Sequence, residues 1–185
     1  TWPAPGAPAL SERVAELLGA AGLPCGLDAT RGFDHGVFVP LRVAFPAADI
    51  PCLQLSLRGD LDPVVHLAAG QALAPLRDEG VLLICSGNTY HNMGLMMRAW
   101  RMGSTEVHGL EFDAWLTEAA THPDPAERNW RLLSWSRAPG ARDAAPREEH
   151  LIPLMVAAGA AGNDRGSKLF EDHVMGAVQS AFRFG

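Results

Sequence analysis

Three histidines stand where this sequence could present an imidazole to a cleft. His91 follows the apolar run Val81–Cys85 by the short turn Ser86-Gly87-Asn88-Thr89-Tyr90. In open parallel α/β sheets, ligands gather beyond the carboxyl ends of the strands, so a residue just past a buried strand is a candidate for catalysis. His35 lies in Gly32-Phe33-Asp34-His35-Gly36, where Asp34 either orients the imidazole or simply caps local backbone amides. His150 follows Glu148 and Glu149 and heads an apolar stretch of Leu, Ile, Met and Val, a setting that suits a metal ligand. The two carboxylates before it read as compensation of a helix dipole. Each histidine also has a structural reading as a hydrogen-bonded side chain, and residue type alone leaves both open.

Other chemistries find little support. No GxGxxG follows a strand, and no Walker A lysine, HExxH or paired CxxC occurs, which argues against nucleotide binding and zinc proteolysis. A nucleophile elbow at Ser86 would need glycine at position 84, where Ile84 stands, so a Ser86 or Cys85 hydrolase using His91 is a weak alternative. His66, His108, His122 and His173 read as structural. The net charge of −6 and a single lysine, Lys168, speak against phosphate-backbone binding. The apolar runs are too short or too broken by glycine to span a bilayer. Cys25, Cys52 and Cys85, widely spaced in apolar settings, read as reduced core thiols of a cytoplasmic protein.

The elements that must position these residues follow from periodicity. Ala9–Ala21 carries Leu10, Val14, Leu17 and Leu18 at helical spacing. Ile50–Leu57 and Val81–Cys85 read as buried strands on either side of a helix that Asp62-Pro63 opens and Glu79-Gly80 closes. That order fits a parallel βαβ unit with a right-handed crossover, so the expected class is α/β, a mostly parallel central sheet flanked by helices. Helices are expected over Glu111–Thr121, Pro125–Trp135 and Glu148–Gly159. The segment Trp135–Arg147 reads as an exposed polar loop, and Val174–Phe184 is ambiguous. With 48% hydrophobic and 19% charged residues and no linker or repeat, residues 1–185 are expected to form a single domain.

Six segments, in order, resemble the DOPA-dioxygenase-like, or LigB, branch of the class III extradiol ring-cleavage dioxygenases. They are Phe33-Asp34-His35-Gly36-Val37-Phe38-Val39-Pro40-Leu41; Ala48-Asp49-Ile50-Pro51 with Gln54-Leu55-Ser56-Leu57; and Leu73 to Leu82. Ser86-Gly87 with Tyr90-His91-Asn92, Pro146 to Leu154, and Ala181-Phe182-Arg183-Phe184-Gly185 complete the series. The resemblance implies a LigB-like fold and insertion of dioxygen beside the hydroxyls of a catechol at a non-haem Fe(II), with Zn as an alternative occupant in purified protein. It makes His150 a metal ligand. His91 becomes the histidine that moves protons beside the metal, with a second role as ligand in some members, and His35 a hydrogen-bonding group of the pocket.

A catecholic substrate and O2 are then the partners, with no nucleic acid or membrane, and a homo-oligomer is in keeping with the family. Members of the branch also carry a His-Gly and a Ser-Ala-His-Trp-like segment with two further metal ligands upstream of the matched region. The chain therefore reads as the C-terminal two-thirds of a catalytic domain. Ala145 stands where the branch often has another histidine. Arg42, Arg98 and Arg101 are candidate carboxylate partners by charge alone. A non-enzymatic binding or regulatory protein on the same fold is the rival reading.

Overall fold

The structure, a computed structural model, describes residues 2–185. Eight α-helices run α1 (Pro8–Ala20), α2 (His35–Ala44), α3 (Pro63–Leu73), α4 (Met93–Met102), α5 (Leu110–Ala120), α6 (Pro125–Leu133), α7 (Ala141–Ala144) and α8 (Pro153–Ala160). Two strands, β1 (Gly166–Val174) and β2 (Ala177–Phe184), close the chain. No helix among the described residues is long and apolar enough to cross a membrane.

Local chemistry explains most boundaries. Asp62 and Asp124 cap α3 and α6 by accepting from the amides of Val64 and Ala126, each with proline at the start of the helix it opens. Three helices, α2, α4 and the short α7, were not foreseen. The Asp34 carboxylate caps α2, whose Pro40 and Gly36 hide its helical pattern, and α4 ends at Gly103 in the left-handed conformation that glycine tolerates.

The core forms where α3, α5, α6 and α8 meet, with Phe112, Leu116, Leu132, Leu151, Ile152 and Met155 fully buried. Helices α3 and α8 touch backbone to backbone through two glycines. A Cβ on Gly70 would stand 2.1 Å from the Val156 carbonyl oxygen, and one on Gly159 the same 2.1 Å from that of Leu67. No side chain fits at either position.

The expected parallel sheet is not what the chain forms. The one sheet among the described residues is the two-stranded antiparallel ribbon β1–β2, which resolves the ambiguous C-terminal stretch as a strand. Ile50–Leu57 and Val81–Cys85 carry no ladder, and their pairing is limited to one parallel bridge between Gly6 and Cys52. The reason lies in what surrounds them. Val81 and Leu83 pack against Leu18, Leu73 and Leu76, whereas Leu82 and Ile84 are 72% and 49% exposed. The run alternates as a strand does, but a ladder also needs a second edge beside it, and periodicity says nothing about that edge.

Three smaller expectations also change. The segment Trp135–Arg147 is not an exposed loop: Trp135, Ala141, Ala144 and Ala145 are buried, and α7 lies within it. The helix expected over Glu148–Gly159 is a single 3-10 turn, Glu148–His150, followed by α8 from Pro153, because proline favours the first turn of a helix and not its interior. The cysteines are not core residues; Cys25 is exposed and the other two are half-buried.

Candidate metal centre

The turn that carries His91 is tied down on two sides. Toward the segment that carries His150, the His91 amide donates to the Ala144 carbonyl at 2.7 Å and the Asn88 amide to the His150 carbonyl at 2.9 Å. The Asn92 carboxamide donates to the Asp143 carbonyl at 2.9 Å while its oxygen caps α4 by accepting from the Leu95 amide. Toward β2, the Gln179 side chain donates to the Tyr90 carbonyl at 2.6 Å, and the Ser180 amide donates to Thr89 Oγ1 at 3.0 Å. His150 sits just before the buried pair Leu151 and Ile152, which anchors its turn in the core.

Gly87 permits the closest approach in this site. A Cβ there would fall 2.1 Å from the His150 carbonyl oxygen and 3.3 Å from Pro153 Cγ. Gly87→Ala must therefore push the two turns apart by an ångström or more. Misplacement on that scale costs about 10²-fold in rate, and we expect Gly87→Ala to lose about that much activity while its far-ultraviolet circular dichroism stays unchanged. Wild-type kcat/KM in the variant would show that the backbone contact does not set the site.

The result of this stitching is a pair of stacked imidazoles. The His91 and His150 rings lie 3.4 Å apart between centroids, inclined by 18°. Burial lowers the pKa of His150 below the usual histidine value. The neighbouring charges of His91 and His35 lower it further, and Glu149 opposes them. His150 is thus neutral at pH 7, with a ring nitrogen free to bind a metal.

His35 is exposed on the first turn of α2 and acts on His150 only through a smaller charge effect. Asp34 does not hold its ring. The Asp34 carboxylate accepts from the Gly36 amide at 3.0 Å and from the Gln54 side chain at 2.5 Å, the capping arrangement that the residues alone suggested.

His91, Glu149 and His150 offer ligand atoms that all lie within 4.8 Å of one another. Glu149 was missed by sequence reasoning, which gave both glutamates to a helix dipole. Glu148 pairs with Arg142 at 2.7 Å, and Glu149, beside the histidines, has Arg147 Nε 3.0 Å from its Oε2. An acidic residue immediately before a candidate ligand was the signal available.

The remaining candidates separate cleanly. His66 is buried and satisfied: Nδ1 lies 2.6 Å from the Asp62 carbonyl, and Nε2 accepts from the Arg58 amide at 3.1 Å. Arg42, Arg98 and Arg101 are exposed surface residues. The hydrolase alternative lacks its geometry, since neither Ser86 nor Cys85 hydrogen-bonds His91 among the described residues. Burial also pushes the Cys85 thiol up to about 11, the reverse of activation.

Two stacked histidines beside a carboxylate form a group whose atoms are able to hold a metal ion, and the chain belongs to the LigB family. The family model, described as the catalytic LigB subunit of aromatic ring-opening dioxygenase, matches residues 1–183. More particularly, the chain is 39% identical over 180 residues to the 4,5-DOPA dioxygenase extradiol of Beta vulgaris, covering 97% of this chain and 65% of that protein. It is 42% identical to the protein of the same name from Portulaca grandiflora, covering 91% of this chain and 61% of the relative. For the Escherichia coli K12 protein of that name the identity is 37%, over 86% of this chain and 58% of the relative. The chain thus spans about three fifths of the length of these relatives.

The crystal structure of an uncharacterized protein from Escherichia coli K12 shares the fold. It superposes with a TM-score of 0.80 at 30% identity, over 100% of this chain and 75% of that one.

Proposed function

We propose that this chain supplies the C-terminal part of an extradiol dioxygenase active site, which opens a catecholic ring with O2 at a non-haem Fe(II). The observation that carries the reading is the stacked His91–His150 pair with Glu149 beside it, in a chain of a ring-opening dioxygenase family. The residues fit a metal. His150 Nδ1 is a buried polar atom without a hydrogen-bond partner among the described residues, and imidazole with carboxylate is a donor set that Fe(II) accepts. When bound, the iron lowers the cost of deprotonating the catechol and brings the two reactants together.

The protein residues then divide the remaining work. His150, held neutral by burial, is the metal ligand from the 3-10 turn. His91 lies flat against it, close enough to ligate and placed to take the proton of a catechol hydroxyl and return it to the ring-opened product. His35, exposed on the first turn of α2, hydrogen-bonds the substrate from the side.

The test is anaerobic reconstitution with Fe(II), for both this chain and the product of its full reading frame. A catechol panel follows, with oxygen uptake and the absorbance of a yellow semialdehyde as readouts. We expect stoichiometric oxygen consumption. Protein that holds iron and catechol yet consumes no oxygen would return the non-enzymatic binding reading.

A further inference from the structure

We infer that Asp113 is a positioning residue for His91, a buried carboxylate on α5 that fixes the two residues before His91 by way of β2. This rests on the reading above that His91 moves the protons of the reaction. It gives a task to the polar network between α5 and the ribbon, which that reading leaves unused.

Asp113 lies in the first turn of α5 and is 6% exposed. A side-chain oxygen near a helix start commonly accepts from the helix's own amides. Both oxygens of Asp113 accept from outside the helix instead. Ser180 Oγ on β2 donates to Oδ1, and Lys168 Nζ on β1 donates to Oδ2 at 2.6 Å. Lys168 is the chain's one lysine, and its ammonium also reaches Glu171 at 2.5 Å. The hydroxyl that Asp113 holds belongs to the residue whose amide donates to Thr89 Oγ1 at 3.0 Å. The neighbour of that residue, Gln179, donates to the Tyr90 carbonyl at 2.6 Å. Thr89 and Tyr90 are the two residues that precede His91.

A second contact from the same helix reaches the same turn. Gly109, the N-cap of α5, has a φ of 86° and lies against the Tyr90 ring, where a Cβ would stand 2.4 Å from Tyr90 Cδ2. Helix α5 thus holds the ring of Tyr90 directly and its backbone through β2. The ion pair itself adds little stability, because the desolvation of two buried charges offsets their attraction. What a fully bonded buried network supplies is a defined geometry. An apolar residue at position 113 would pack as well, and would leave Ser180, and Thr89 with it, free to slide past α5.

Two measurements test this. In the metal-free 185-residue chain, carbon–proton NMR correlations report each histidine ring. We expect Asp113→Asn and Ser180→Ala each to shift the His91 signal and to leave that of His66 in place, since His66 is held by its own bonds to Asp62 and Arg58. In the iron-loaded product of the full reading frame, each substitution is expected to lower kcat for oxygen uptake about 10–100-fold, as loss of a partner that orients a working residue does. KM should change by less than about threefold. In a His91→Gln background the same substitutions should cost less than about threefold, because residues that act as a unit are not additive. Ser180→Ala leaves the Lys168–Asp113 pair whole, so it decides the matter where Asp113→Asn does not fold. Glu118→Gln, an exposed change on the same helix, is the control and should be silent.

An unmoved His91 signal or a wild-type kcat in both variants would overturn the inference. So would a loss of kcat that persists in full without the His91 imidazole, the mark of a merely structural carboxylate. If wild-type protein with iron bound consumes no oxygen, the dioxygenase reading fails by itself, and the NMR comparison still decides whether Asp113 holds His91.

Discussion

His91→Gln is expected to lower kcat/KM for oxygen uptake by about 10²–10⁴-fold, the range that a positioned general acid–base contributes. Glutamine preserves much of the bulk stacked on His150 and can still hydrogen-bond, but it cannot shuttle a proton near neutral pH. Because the His91 amide, and not its side chain, ties the turn to Ala144, the backbone of the site should be unaffected. The ring is also within reach of the metal, so two roles must be separated. If proton transfer dominates, kcat falls while metal affinity changes by less than about tenfold, and the pH profile of kcat loses one limb. If ligation dominates, affinity falls first, and excess Fe(II) restores part of the rate. A variant with wild-type kcat and wild-type metal affinity would remove His91 from the mechanism.

How much of this was legible in the sequence depends on the distance over which each signal acts. Capping acts over two or three residues, so Asp62-Pro63 marks the start of α3 in the sequence itself, and the helix expected from Pro125 is α6. The sheet was not legible. Val81–Cys85 alternates in exposure as a strand does, but the presence of a hydrogen-bonded neighbour is a property of residues far away. The hidden face of Trp135–Arg147 failed for a similar reason: three alanines, Ala141, Ala144 and Ala145, bury tightly without looking like a core. At the site, the three histidines had been singled out by position and by resemblance. The stacking of His91 on His150 depends on Gly87, which brings the two turns to backbone contact, and on Asn88 and Asn92, which bridge them. Glycine and asparagine in a turn-rich stretch predict only a turn.

Arg128 was equally invisible, and it sets the second large expectation. In the sequence it is one more arginine on an amphipathic helix; in the structure it is 1% exposed. Its guanidinium donates to the carbonyls of Asp164 at 2.7 Å, Gly162 at 2.8 Å and Ala158 at 3.0 Å, and lies over the Phe184 ring. Arg77 serves the same helix end, donating to the Ala160 carbonyl at 2.9 Å and to Asp164 Oδ2 at 2.5 Å. Together the two side chains satisfy carbonyls that the last turn of α8 and the loop after it would otherwise leave bare, with positive charge at the negative end of the helix.

Arg128→Met keeps most of the packing volume and removes every donor. Each stranded carbonyl then costs about 1–3 kcal/mol, so we expect a loss on the order of 3–5 kcal/mol in urea unfolding, a large part of the roughly 5–15 kcal/mol that holds a domain together. Arg128→Lys should recover only part of it, since one ammonium cannot span three carbonyls as a planar fork does. The exposed Arg42→Met serves as the control and should shift stability by less than about 0.5 kcal/mol. A loss below 1 kcal/mol for Arg128→Met would mean that water reaches these carbonyls and that α8, with the His150 turn just before it, is held by packing alone.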